Sequence, residues 1–91
     1  MRVLARVHVT LKPVVNDPPG LSIQGGLRSL GFATVERVRG GKYFEITFDA
    51  ANLTAAEQQA DDMCRRLLAN PVIEDYRFVI EELPTLTPDT A

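Results

Sequence analysis

The sequence predicts an α+β domain whose antiparallel-rich sheet carries its helices on one face. Three observations lead there. Apolar and polar residues alternate with period two near the start, middle and end of the chain; two intervening stretches place apolar residues three and four apart; and helix start and stop residues bound those stretches.

The first strand is read from Val3, Ala5, Val7, Val9 and Leu11, which alternate with Leu4, Arg6, His8 and Thr10. A connection containing Pro13 follows, and Asp17-Pro18 forms an N-cap with proline at the first helical position, where a missing N–H costs nothing. Ile23, Leu27 and Leu30 then recur at helical spacing, and Gly31 stands where a left-handed residue ends a helix. Gly25 and Gly26 lie inside this helix, each about 1 kcal/mol worse than alanine. Close approach of the helix to the sheet is their expected purpose.

Val35 to Arg39 reads as a short strand, Gly40-Gly41 as a tight hairpin turn, and Lys42 to Phe48 as the returning strand. Phe44, Ile46 and Phe48 share one face of it; Tyr43, Glu45 and Thr47 share the other. Thr54-Ala55-Ala56-Glu57 matches a capping box and opens a second helix. Ala56, Ala60, Met63 and Leu67 are its expected inner stripe, with Cys64 and Leu68 alongside, while Asp61/Arg65 and Asp62/Arg66 pair four residues apart. Asn70, which tolerates the left-handed conformation, and Pro71, which cannot continue the helical ladder, stop it. A final strand is expected from Val72 to Leu83, with Tyr76, Phe78 and Ile80 opposite Arg77, Val79 and Glu81.

The predicted order is therefore a ferredoxin-like βαββαβ, with both helices on one face of the sheet. Residues 1–83 form a single domain in this reading, and 84–91 a loose, Pro- and Thr-containing tail. The uncovered face would display Leu4, His8, Tyr43 and Val79, more apolar surface than free solvation needs. A partner or a second copy is expected there. Because Asn70-Pro71 fixes where the last strand departs, the sequence also raises exchange of that strand between chains.

Composition narrows the function classes. Ninety-one residues suffice for one modest core, and 45% hydrophobic with 24% charged residues is ordinary for a soluble globular protein. No apolar run approaches a membrane span, the N-terminus enters an alternating pattern at once, and cytoplasmic location without membrane attachment is the expectation. A formal charge of −2 gives no reason to expect nucleic acid. The aromatic spacing of an RNA-binding strand would put Tyr43 at one stacking position but Glu45 at the other, where a carboxylate repels the backbone. The single cysteine excludes an internal disulfide or multi-cysteine metal site.

Candidate chemistry is sparse. His8 is the only histidine, and no orienting carboxylate is evident beside it. Cys64 lies mid-helix beside the apolar stripe, away from the helix N-terminus that favours a thiolate, so a packed thiol is expected. The carboxylates are accounted for by helix pairs or alternate along a strand, without metal-ligand spacing. Gly40-Gly41-Lys42 lacks the longer loop into a helix that phosphate cradles use. From the residues, a binding or scaffolding module is expected rather than an enzyme with its own active site.

In order and in register along Val3 to Leu83, Val7-His8-Val9-Thr10-Leu11-Lys12-Pro13, Asp17-Pro18-Pro19-Gly20, Leu27-Arg28-Ser29-Leu30-Gly31-Phe32, Val38-Arg39-Gly40-Gly41-Lys42 and Leu67-Leu68-Ala69-Asn70-Pro71-Val72-Ile73-Glu74-Asp75-Tyr76 resemble the PurS family. That is the small-subunit family of phosphoribosylformylglycinamidine synthase. Val14, where the family often has glycine, and the longer tail depart from it. The resemblance implies a complex with a large ATP-using synthetase subunit and a glutaminase subunit, and self-association as dimers or dimers of dimers. It implies no catalytic residue and no cofactor here, since the partner subunits use the ATP, magnesium and glutamine. It also implies a bridging role that helps ammonia pass between the larger subunits. The loops Arg39-Gly40-Gly41-Lys42 and Asn70-Pro71, with Asp75 and Tyr76, are the expected contact residues. A regulatory small-molecule-binding module on the same plan is the alternative.

Overall fold

The computed structural model describes residues 1–84. The element order is β1 (Arg2–Leu11), α1 (Pro18–Ser29), β2 (Gly41–Asp49), α2 (Leu53–Met63) continuing into a π-turn (Cys64–Leu68), and β3 (Glu74–Glu82). β1 stands at the centre: the sheet order is β2-β1-β3, both pairings antiparallel. Val7 stands opposite Phe44 on one side and Phe78 on the other, so the apolar residues of all three strands share one face. On it Val3, Ala5, Val7 and Val9 are fully buried. Each such valine contributes about 1.5–3 kcal/mol through burial.

α2 covers that face through Ala56, Ala60 and Cys64, all essentially without solvent exposure. Small side chains let the helix lie close to the strands. The α+β class with a ferredoxin-like antiparallel sheet and two helices thus holds, and the structure revises several of its parts.

Val35–Arg39 forms no strand, so the sheet has three strands among the described residues, and Gly40-Gly41 does not turn a hairpin. Gly41 instead opens β2, packed so tightly on β1 that a Cβ there would lie 2.5 Å from the Val9 carbonyl oxygen. The Asp17 N-cap is as expected, accepting from the Gly20 amide at 3.0 Å, and Gly31 takes φ 102° after the end of α1. The two helices differ, however, in how closely they pack. Among the described residues α1 packs extensively on no other element, Leu21, Ile23 and Leu30 are exposed, and a Cβ at Gly25 or Gly26 would meet nothing within 4 Å. Close approach to the sheet is therefore not what these glycines provide within the chain. The radius of gyration, 17.7 Å, exceeds the roughly 12 Å of a compact domain this long.

α2 is capped by Asn52, whose side chain accepts from the Ala55 amide at 2.8 Å, and not by Thr54, which lies inside the helix. Its inner stripe is Ala56, Ala60, Cys64 and Leu68; Leu67 is 84% exposed. The π-turn accounts for that change. The Ala69 amide donates to the Cys64 carbonyl at 2.9 Å, and the wider turn swings Leu67 outward and Leu68 inward. Asn70 is not left-handed, because no non-glycine residue has positive φ among the described residues, and Ala69 leaves the helix in an extended conformation. β3 begins at Glu74, after a turn through Pro71–Ile73, and pairs with β1 of its own chain along nine residue rows. The expected tail lies, from residue 85 on, outside the described residues.

Candidate partner-contact surface

Antiparallel pairing carries the end of β1, the start of β2 and the start of β3 to the same end of the sheet. The two loops singled out from sequence therefore meet. Lys42 Nζ lies 3.3 Å from Glu74 Oε2, and Lys12 Nζ lies 2.9 Å from Asp75 Oδ1. Arg39 donates to the Lys12 carbonyl at 2.9 Å, and the Lys12 amide donates to the Ile73 carbonyl at 2.8 Å. One polar network thus joins Arg39–Lys42 with Asn70–Asp75.

Two buried or bonded carboxylates shape this end. Asp17, 4% exposed, accepts from the Gly40 amide at 2.8 Å as well as from Gly20, tying the foot of α1 to the segment that enters β2. The Gly40 and Gly20 amides, with the Arg39 charge nearby, hold its carboxyl below the usual carboxylate range. Glu74 accepts from the Asn70 amide at 2.7 Å, and that bond, followed by Lys42, lowers its pKa too. Asn70 also binds the Val72 amide through its own side chain at 3.1 Å, so Pro71 sits in a braced turn.

Of the expected contact residues, Arg39, Gly40, Gly41, Lys42, Asn70, Pro71 and Asp75 lie in or beside this network. Tyr76 does not. Its side chain turns to the inner face, where its hydroxyl donates to Asp61 of α2 and its pKa is raised by that bond. Sequence reasoning passed over Lys12, which pairs with Asp75, Glu74, which pairs with Lys42, and Val72 of the Asn70 turn, which is 78% exposed. The charge complementarity of Lys12 with Asp75 and of Lys42 with Glu74 was the available signal, but it becomes visible only once register is known.

On the sheet face opposite α2, Arg6 bridges Glu45 and Glu81, and the Tyr43 hydroxyl donates to Glu45 at 2.9 Å. The rings of His8 and Tyr43 stand 4.8 Å apart, while Tyr43 and Val79 are 48% and 60% exposed. Cys64 is fully buried, and burial pushes its thiol pKa up, as expected of a packed thiol. No cluster of three or more metal-ligating side chains occurs among the described residues, and no described helix is long and apolar enough to cross a membrane.

The fold and its loop cluster define a small ferredoxin-like α+β protein that presents a charged, apolar-flanked surface at one end of its sheet. The PurS family model, described as phosphoribosylformylglycinamidine (FGAM) synthase, matches residues 4–82, and the chain belongs to that family, which supplies a subunit of a purine-biosynthesis ligase. The FGAM synthase subunit PurS of Synechocystis is 51% identical over 78 residues, covering 86% of this chain and 78% of that protein. The Bacillus subtilis subunit is 42% identical over 78 residues, covering 86% and 92%. Among solved structures, Thermus thermophilus PurS superposes with a TM-score of 0.81 at 45% identity, covering 92% of this chain and all of that one. A chain of the PurLQS structure from Thermotoga maritima superposes with a TM-score of 0.79 at 30% identity, covering 91% and 99%.

Proposed function

We propose that this chain is the non-catalytic small subunit that bridges the ATP-dependent synthetase and the glutaminase of FGAM synthase and supports ammonia transfer between them. The observation that carries the reading is the joining of the Arg39–Lys42 and Asn70–Asp75 loops into one surface at one end of a rigid sheet. Loops anchored on a sheet present fixed contacts to other proteins. The PurLQS structure gives the assembly a precedent in a relative. Holding the two larger subunits together keeps ammonia near its target and away from bulk water, where it is diluted and protonated. ATP, magnesium and glutamine belong to the partner subunits in this reading, the complex is cytoplasmic, and the chain also associates with copies of itself.

Glutamine-dependent amidine formation, assayed with the purified synthetase and glutaminase in the presence and absence of this chain, tests the proposal. Activity should depend on the chain; undiminished activity without it refutes the role.

A further inference from the structure

Residues 35–39 pair with no described strand, yet they are held in place. Arg28 of α1 donates to the Val35 carbonyl from Nε at 3.0 Å and from Nη2 at 2.8 Å. Near the start of the helix, a Cβ on Gly20 would collide with the Val38 carbonyl oxygen, so the two backbones touch there. The segment therefore runs back along α1. Between it, the helix and the β1–α1 connection lies a cleft of about 310 Å³, within the roughly 300–1,000 Å³ of small-molecule sites.

Arg37 and Arg39 both line this cleft. Each is tethered by one bond to a carbonyl of the connection, Arg37 to Pro13 at 3.1 Å and Arg39 to Lys12 at 2.9 Å. A guanidinium has five N–H donors, so one tether fixes its place and leaves most of its donors unused. Neither arginine forms an ion pair among the described residues. Asp17 also lines the cleft, but its oxygens are engaged, Oδ1 by the Gly20 amide and Oδ2 by the Gly40 amide. Residues 12–42 hold five of the ten Lys and Arg but two of the twelve Asp and Glu, so the cleft stays positive with Asp17 counted, in a chain of net charge −2. α1 begins with Pro18 and Pro19, which have no N–H, and the Gly20 amide is taken by Asp17; the donors are the arginines, not the helix N-terminus. Gln24 adds a side-chain amide to the lining, and Val14 and Leu21, 93% and 54% exposed, add apolar surface.

We propose that this cleft binds a small phosphate monoester, with the phosphate between Arg37 and Arg39 and the organic body against Val14, Leu21 and Gln24. Guanidinium groups meet pairs of phosphate oxygens with two parallel N–H bonds. A phosphate monoester brings about 1.5 to 2 negative charges at neutral pH and three acceptor oxygens, enough to engage both arginines. A single carboxylate brings one charge and two oxygens, and leaves one arginine unmatched. The inference stands on the cleft and does not rest on the bridging role. Arg39 belongs to the contact network as well, whereas Arg37 is exposed and bonds only the Pro13 carbonyl, so Arg37 is the residue to change.

Isothermal titration calorimetry on the full chain, with adenosine 5′-monophosphate and ribose 5-phosphate as probes, is the test. At least one probe should bind, and adenosine, inorganic phosphate and succinate should each bind at least about tenfold more weakly than the better probe. Arg37→Ala should weaken that binding roughly ten- to a hundredfold, as the loss of a charge-assisted contact, while far-ultraviolet circular dichroism stays the same. Arg37→Lys, which keeps the charge without the planar fork, should fall between. Amide shifts in nuclear magnetic resonance spectra should gather at residues 13–17, 21–24 and 37–39 and spare α2. Absence of heat and of shifts with both probes overturns the site, as does binding that Arg37→Ala leaves unchanged or shifts gathered elsewhere. Adenosine or succinate binding as well as the probes overturns the role of the phosphate, and inorganic phosphate binding as well overturns that of the organic body. The larger subunits take no part in these measurements, so failure here leaves the bridging role standing.

Discussion

Placing a side chain at Gly41 tests how tightly β2 is pressed onto β1 beside the loop cluster. A Cβ there would lie 2.5 Å from the Val9 carbonyl oxygen and 3.0 Å from Thr10 Cγ2. Ordinary contact begins near 3.4 Å, so β1 and β2 must separate by most of an ångström, and the obstacle is backbone rather than a side chain that can rotate away. Overpacking of this kind costs about 1–3 kcal/mol, offset by the 0.5–1 kcal/mol gained when a glycine leaves the unfolded chain. Gly41→Ala should therefore lose about 1–2 kcal/mol. With a urea slope near 1 kcal/mol per molar for a small domain, the unfolding midpoint falls by roughly 1–2 M. Gly40→Ala is the control, because its added carbon would stand 3.9 Å from the nearest atom, Asp17 Oδ2, so that only the unfolded-chain gain remains and the midpoint should hold or rise by up to about 1 M. An unchanged or raised midpoint for Gly41→Ala would refute the packing argument.

Other perturbations reach the core, the loop network and the thiol. Val7→Ala removes two buried methyls, about 1.6 kcal/mol of transfer energy plus roughly 1 kcal/mol for the cavity, and should lower the melting temperature by about 10–20 °C in calorimetry. Asp17 and Glu74 have folded pKa values below their unfolded ones, so their stabilisation is present above roughly pH 4 and is lost as pH falls through the folded values. Urea midpoints should drop on acidification below that point, and Asp17→Asn with Glu74→Gln should flatten the dependence. Replacing Arg39 and Lys42 by alanine should weaken co-elution with the synthetase and glutaminase while far-ultraviolet circular dichroism stays the same; unaltered co-elution removes them from the contact. Native Cys64 should react with an aromatic disulfide reagent far more slowly than the same chain in urea, since it is fully buried and its thiol is held protonated.

Elements whose pattern is both local and packed were legible from sequence. The alternation of Val3 to Leu11 named the first strand and its buried face, and Asp17-Pro18 and Gly31 marked the ends of α1 as the backbone has them. The contact loops were named from a family resemblance, and register then joined them through Lys42–Glu74 and Lys12–Asp75. Their partners were invisible because cross-strand pairs are set by hydrogen-bond register, which no short window of sequence contains.

Sequence by itself determined the apolar faces, the helix boundaries at α1 and the family. Tertiary structure alone decided that Val35–Arg39 stays unpaired, that Asn52 displaces Thr54 as the cap, and that a π-turn carries Leu67 to the surface. The physical reason is shared. A strand exists only where a neighbour offers its backbone, and a helix face is buried only where another element stands, so periodicity announces what a segment can bury and the arrangement of the whole decides whether it does.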